Sequence, residues 1–159
     1  MSENKELLCA MYSKNFSEIE LRESWIARKN NIKNYPDETQ KANLRKLCKN
    51  ILQPIRDKWN DVIIVNSGYR CKELNDLVGG VQTSEHLTGN AADVMPKKKE
   101  DVRKLFDFIK EMVENGEITV GQLILEHSRF SSWVHVSNPS KKHKNEILVI
   151  KKQIKRQPH

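Results

Sequence analysis

Three short segments hold most of the side chains able to do chemistry. Ser84-Glu85-His86-Leu87-Thr88-Gly89-Asn90-Ala91-Ala92-Asp93 offers an imidazole and a carboxylate seven residues apart. The small residues of Gly89 to Ala92 allow the chain to fold back, so that both side chains converge. Trp133-Val134-His135-Val136-Ser137 places a second histidine in an alternating run, with Trp133, His135 and Ser137 on one face. Ser67-Gly68-Tyr69-Arg70 offers a guanidinium just after an apolar run. Two histidines and an aspartate suit zinc. A catalytic zinc takes three ligands of this type and keeps a fourth position for water. Taken singly these signs are weak. A histidine on an apolar strand is often a hydrogen-bonded core residue, and one His with one Asp at this spacing is commonly a local polar pair.

Helices come first in the elements that must position these groups. Ser17-Glu18-Ile19-Glu20 has the form of a capping box and predicts a short helix through about Ala27. Pro36-Asp37-Glu38 reads as the first turn of a longer helix, whose face is Leu44, Leu47, Ile51 and Ile55. Pro54 is expected to kink or end it. Val62 to Val65 is a short buried strand that leaves through a turn at Asn66 to Arg70. Cys71 to Val78 predicts a short helix closed by Gly79-Gly80, and Ala91 to Met95 another strand. Val102, Leu105, Phe106, Ile109, Met112 and Val113 form a helical stripe ended by Gly116. Strands are expected at Gln122 to Glu126, Trp133 to Ser137 and Ile147 to Ile150. The fold class is therefore α+β, with N-terminal helices on a small, mostly antiparallel sheet.

Taken in order, Ser84-x-His86-x-x-Gly89-x-Ala91-x-Asp93 and Trp133-x-His135 resemble the signature of the zinc D-alanyl-D-alanine metallopeptidases. That family includes D-Ala-D-Ala carboxypeptidases, the dipeptidases of vancomycin resistance and phage endolysins that cut L-Ala-D-Glu bonds, and hedgehog signalling domains share its fold. The likeness is to the small phage and prophage type. It extends to Phe16-Ser17-x-x-Glu20-Leu21-x-x-Ser24, Asn34-x-Pro36, Leu52-x-Pro54-Ile55-Arg56, Ser67-Gly68-Tyr69-Arg70, Leu74-Asn75 and Val78-Gly79-Gly80, roughly residues 15–137. The resemblance implies that His86, Asp93 and His135 bind one zinc per chain. Zinc there would lower the pKa of water and polarise a scissile carbonyl. Arg70 matches the arginine that steadies that carbonyl and its developing charge, its bland alternative being a surface salt bridge. Ser84 matches a serine near the substrate's polar groups, or else is a turn cap. Gly79, Gly80 and Gly89 are read as turn formers.

One position departs from the pattern. Many relatives carry an acidic general base three residues before the last histidine, where this chain has Ser132. The nearby acid is Glu126. If 122–126 and 133–137 form a hairpin, Glu126 sits opposite Trp133 and shares the face of His135. An odd loop length would turn it to the other face. Leu123 and Leu125 point the opposite way, toward a core. Glu126 is therefore the candidate base, against the alternative of a strand-end carboxylate bonded to the loop. His127 is a weaker candidate, and His143 and His159 stand in a tail with no motif around them.

Composition bounds the rest. The 159 residues carry three cysteines, Cys9, Cys48 and Cys71, with no close pair, which argues against a disulfide framework or a cysteine zinc knuckle. No repeat, linker or Gly/Ser-rich boundary divides the chain, so a single domain is expected, with a basic segment at 138–159. That segment holds seven lysines and arginines against Glu146, and so carries +6 of the net +7. A nucleic-acid face would spread its cations with aromatics between them, so specific nucleic-acid binding is not expected. The segment reads as a solvated end or charged edge strand, or as a contact for an anionic partner such as a wall polymer. Leu7 to Met11 is too short for a signal peptide, and no run approaches a membrane helix. The expectation is a soluble chain made in the cytoplasm, acting on the wall if released or delivered by phage machinery. The leading function is hydrolysis of peptidoglycan stem peptides. A zinc-bearing wall-binding module without hydrolysis is the alternative, motivated by Ser132.

Overall fold

Local signals in the chain account for most element boundaries in the computed structural model, which describes residues 10–151. The start of the apolar run at Leu7, together with Cys9, Lys152, Lys155, Arg156 and His159, lies outside them. A small hairpin, β1 (Met11–Ser13) and β2 (Phe16–Ser17), opens the fold and has no counterpart in the sequence expectations. The capping box then forms as expected: Glu20 N–H donates to Ser17 Oγ at 3.1 Å, and Ser17 N–H donates back to the Glu20 carboxylate at 3.2 Å. The helix it starts is shorter than expected. It splits into α1 (Glu18–Arg22) and α2 (Trp25–Lys29) because Ser24 caps afresh, accepting from Ala27 N–H at 3.1 Å. The bend buries both Leu21 and Ala27.

The long helix begins at the Asp37 cap, where Gln40 completes a second capping box. It runs as α3 (Glu38–Leu47), widens to a π turn over Cys48–Leu52 and continues as α4 (Gln53–Trp59). Pro54 does not end it. In the wide turn Gln53 N–H reaches back five residues to the Cys48 carbonyl, so the ladder is already loosened where Pro54 lacks an N–H. Leu44, Leu47, Ile51, Leu52 and Ile55 are all buried along its inner face. The helix ends at Asn60, which takes a left-handed φ of 56°.

Among the described residues, five strands form the main sheet: β3 (Ile63–Ser67), β4 (Ala91–Pro96), β5 (Gln122–His127), β6 (Ser132–Ser137) and β7 (Glu146–Lys151). Their spatial order is β3-β4-β6-β5-β7, with three antiparallel pairings and one parallel pairing, β5 with β7. The expected α+β class and mostly antiparallel sheet are thus observed. α5 (Lys72–Leu77) follows β3, and α6 (Val102–Glu114) joins β4 to β5. The six apolar residues expected of α6 are buried against one sheet face, where Ala92, Val94, Leu123, Leu125, Val134 and Val136 meet them. Each fully buried leucine there is worth roughly 1.5–3 kcal/mol. Period-two alternation sends Asp93, Glu126 and His135 to the other face. Residues 138–151 are a loop and an edge strand, not a solvated end.

Candidate active site

The site lies on the sheet face away from α6, in an open cleft of about 320 Å³. Cross-strand pairing assembles its floor. Asp93 on β4 pairs with His135 on β6, and a shift in the β3 ladder after Val65 brings Ser67 opposite Asp93. His86 comes from outside the sheet, on a single 3-10 turn, Glu85–Thr88, that the sequence does not announce. Here α3 becomes functional. Gln40 donates to the Leu87 carbonyl at 3.2 Å and Asn43 to the Thr88 carbonyl at 2.9 Å, so the long helix holds the histidine turn from behind. Gly89 closes that turn with φ +75°, and a Cβ on it would meet the Gln40 carbonyl oxygen at 2.5 Å. Only glycine satisfies both demands.

The three donors converge. His135 Nδ1 lies 3.0 Å from Asp93 Oδ1, and His86 Nε2 lies 3.3 Å from the same oxygen. One ligand atom from each of the three residues falls within 4.8 Å of the others. His86 Nδ1 is 2.7 Å from the Gly68 carbonyl oxygen, which can only accept. That bond places a proton on Nδ1, so Nε2, turned toward Asp93, is the nitrogen a metal would take. All three side chains are buried, at 2–8% exposure. Burial by itself would push the Asp93 carboxyl up, but the charge of His86 and hydrogen bonds from His135 and His86 outweigh it and hold Asp93 well below the carboxylate range. His135 is the converse. Burial disfavours its charged form, and the bond and charge of Asp93 overcome this and raise it. A concentrated, buried charge set of two nitrogens and one oxygen fits a zinc ion.

Arg70 borders this centre, its Nη1 3.4 Å from Ser67 Oγ and its Nη2 3.4 Å from Ser84 Oγ. Burial lowers its pKa, while the charges of Asp93 and Glu126 oppose that shift, and all three line the same cleft. Its backbone is fixed by Asn34, a buried residue whose amide donates to the Arg22 and Tyr69 carbonyls and accepts from Cys71 N–H at 2.8, 2.9 and 2.7 Å. Ser84 is a cap, accepting from His86 N–H at 3.3 Å, and also touches Arg70. Glu126 lines the cleft at 8% exposure and pairs with Trp133, the register needed to put it on the face of His135. Ser132 pairs with His127, and their side chains bond at 2.6 Å on the opposite side of the hairpin. Neither lines the cleft. Sequence reasoning passed over Glu85, Lys142 and His143, all of which line it. For His143 the missing signal is the parallel pairing of β5 with β7, a contact between segments about 24 residues apart.

A family model described as Peptidase M15 matches residues 14–137 of this geometry. The chain belongs to the Peptidase M15 family. This is the family of zinc D-Ala-D-Ala carboxypeptidases, zinc peptidases that act on peptidoglycan, and its zinc dependence agrees with the His86, Asp93 and His135 cluster. Comparison with curated proteins yields no match. The M15 match spans every strand of the sheet except β7, and ends with β6. No helix among the described residues is long and apolar enough to cross a membrane.

Proposed function

We propose that this M15 chain hydrolyses an amide bond of peptidoglycan stem peptides, as a D-Ala-D-Ala carboxypeptidase or an endopeptidase, with one zinc per chain on His86, Asp93 and His135. Its resemblance to small phage and prophage members makes a lysin the setting of that activity. The observation that supports it most is that Arg70 and Glu126 enter the same cleft as the three ligands. Zinc bound there supplies Lewis acidity toward the scissile carbonyl and acidifies water. Glu126 is the general base, taking the proton of the attacking water and returning it to the leaving amine. Arg70 binds the carbonyl oxygen and stabilises the negative charge that grows on it. Its Nε is buried with no hydrogen-bond partner among the described residues, a donor that a substrate oxygen can satisfy once bound. Ser84 holds both Arg70 and the His86 turn, and touches the substrate's polar groups.

The test joins metal content to cleavage. Protein purified without chelator is assayed for zinc and incubated with purified peptidoglycan while new amino groups are counted. Zinc near one per chain, with cleavage lost in Glu126→Gln and zinc kept, carries the reading. Zinc without cleavage of any wall type would replace it with a zinc-bearing binding module. Zinc retained in full by His86→Ala would overturn the ligand set itself.

A further inference from the structure

The family match stops at Ser137, but the cleft wall does not. The next residues carry the chain to β7, and Lys142, His143 and Ile150 form part of the wall. Arg70 follows β3 at one edge of the sheet, and Lys142 and His143 precede β7 at the other. Arg70 and Lys142 therefore place a cation on either side of the His86, Asp93 and His135 centre.

This second wall is held in place. Asn138 N–H donates to the Asn90 carbonyl at 2.8 Å, and its side chain donates to the Asn43 carbonyl at 3.0 Å. At the far end Asn145 N–H donates to the Val120 carbonyl at 2.6 Å, and Val120 N–H donates to Asn145 Oδ1 at 3.0 Å. Between them Ser140 and His143 close a turn through two hydrogen bonds. His143 Nδ1 bonds to the Glu146 carboxylate, which Gln122 also approaches at 3.3 Å. That leaves Nε2 as the free end of the ring. Lys142 makes no ion pair or hydrogen bond among the described residues. An unpaired ammonium and an oriented imidazole on one preorganised wall are the parts of an anion subsite.

We propose that Lys142 and His143 bind a free carboxylate of the substrate peptide and so select stem peptides bearing that carboxylate beside the scissile amide. This deepens the peptidase reading and rests on it. Carboxylates are the anions such peptides carry, either at the C-terminus or on an internal α-carbon.

The experiment uses the zinc-loaded full chain and N-acetylated stem peptides in two matched pairs. One pair contrasts a free C-terminal carboxylate with its amide, the other a free internal α-carboxylate with its amide. In one pair the acid is expected to have a KM about tenfold or more below the amide, with kcat within about twofold. The pair that shows it identifies the source of the carboxylate. Lys142→Ala combined with His143→Gln should abolish the preference, Lys142→Arg should keep it, and Lys142→Glu should favour the amide. Unchanged zinc content and melting temperature establish that these variants fold. No acid preference in the wild type, or the same preference in the double variant, overturns the proposal. If the wild type cleaves nothing, the peptidase reading fails. Calorimetric binding of the same four peptides then decides the subsite by the same comparison.

Discussion

Gly68→Ala tests how far metal binding depends on backbone outside the ligand set. Gly68 has no left-handed φ, so alanine suits its backbone and the cost is steric. A Cβ would lie 2.2 Å from the Leu21 carbonyl oxygen and 2.8 Å from its carbon. Ordinary contact begins at 3.4 Å, so the two backbones must part by 3.4 − 2.2 = 1.2 Å. That carbonyl is pinned by Tyr69 N–H at 2.7 Å, and Gly68 itself accepts from His86 Nδ1 at 2.7 Å. A shift of this size carries the His86 bond past hydrogen-bond range. Two losses should follow. Overpacking costs about 1–3 kcal/mol of stability. Zinc affinity falls about 10- to 100-fold, the usual effect of removing the partner that orients a ligating imidazole. Gly116→Ala is the control: its φ is +73° and no atom lies within 4 Å, so it loses about 1–2 kcal/mol from strain alone. Chelator competition measures zinc affinity, and calorimetry of the metal-free protein measures stability. The reasoning is refuted if Gly68→Ala melts lower yet binds zinc within about threefold of wild type, or if both variants lose affinity equally.

Three further outcomes follow from the site. In the metal-free protein Asp93 is held low, so its contribution is present above the ordinary carboxylate pKa of about 4 and lost as pH falls further. His135 is held high, so its contribution is full below about 6.5 and is lost as pH rises through its raised value. Melting temperature without metal should therefore peak between these limits, and zinc should remove the alkaline decline because ligating imidazoles are already neutral; a metal-free profile still climbing at alkaline pH would contradict this. Ser132→Ala, on the face away from the cleft, should leave kcat/KM within about threefold, and a hundredfold loss in steady-state kinetics would restore a catalytic role to that position. Asn34→Ala strands the buried Tyr69 carbonyl, the half-buried Arg22 carbonyl and the Cys71 N–H, so denaturant unfolding should show a loss of roughly 2–4 kcal/mol; kcat/KM should fall with it through Arg70, and a variant as stable as wild type would show that water replaces the amide.

What could be read from the chain depended on how local its cause was. The capping box at Ser17, the helix start at Pro36-Asp37-Glu38, the α6 stripe and the period-two strands are decided within a few residues and appear where expected, while the second capping box, Asp37 with Gln40, went unread. Two local readings were overruled by packing. Ser24 divided the first helix because the bend buries Leu21 and Ala27 together, and the π turn carried the long helix past Pro54 because Ile51, Leu52 and Ile55 all belong to one core. The β1–β2 hairpin is too short to leave a pattern. Of the site, the convergence of His86, Asp93 and His135 was legible through their ordered motif, and the cleft-facing side of Glu126 through strand parity. The supports were not: Asn34, Gln40 and Asn43 act through backbone groups 35 to 47 residues away. The cleft wall at Lys142 and His143 depends on a parallel pairing that no local signal specifies.

The placements of Ser132 and Glu126 have a single structural origin. Along a regular strand, positions three apart face opposite ways, so position 132 of β6 points toward the helices while His135 points into the cleft. A carboxylate at 132 would have to leave the strand's alternation to reach the metal centre. The residue that faces the cleft without such distortion is the cross-strand partner of Trp133, which is Glu126. Its placement is enforced from the other side of the sheet. Leu123 and Leu125 are fully buried, as are Val134 and Val136 opposite them. A slip of β5 by one residue would bring both leucines out of the core, at roughly 1.5–3 kcal/mol each, and drive Glu126 into it, where a lone charge costs more. The core thus fixes the register, and the register delivers the proposed base to the cleft.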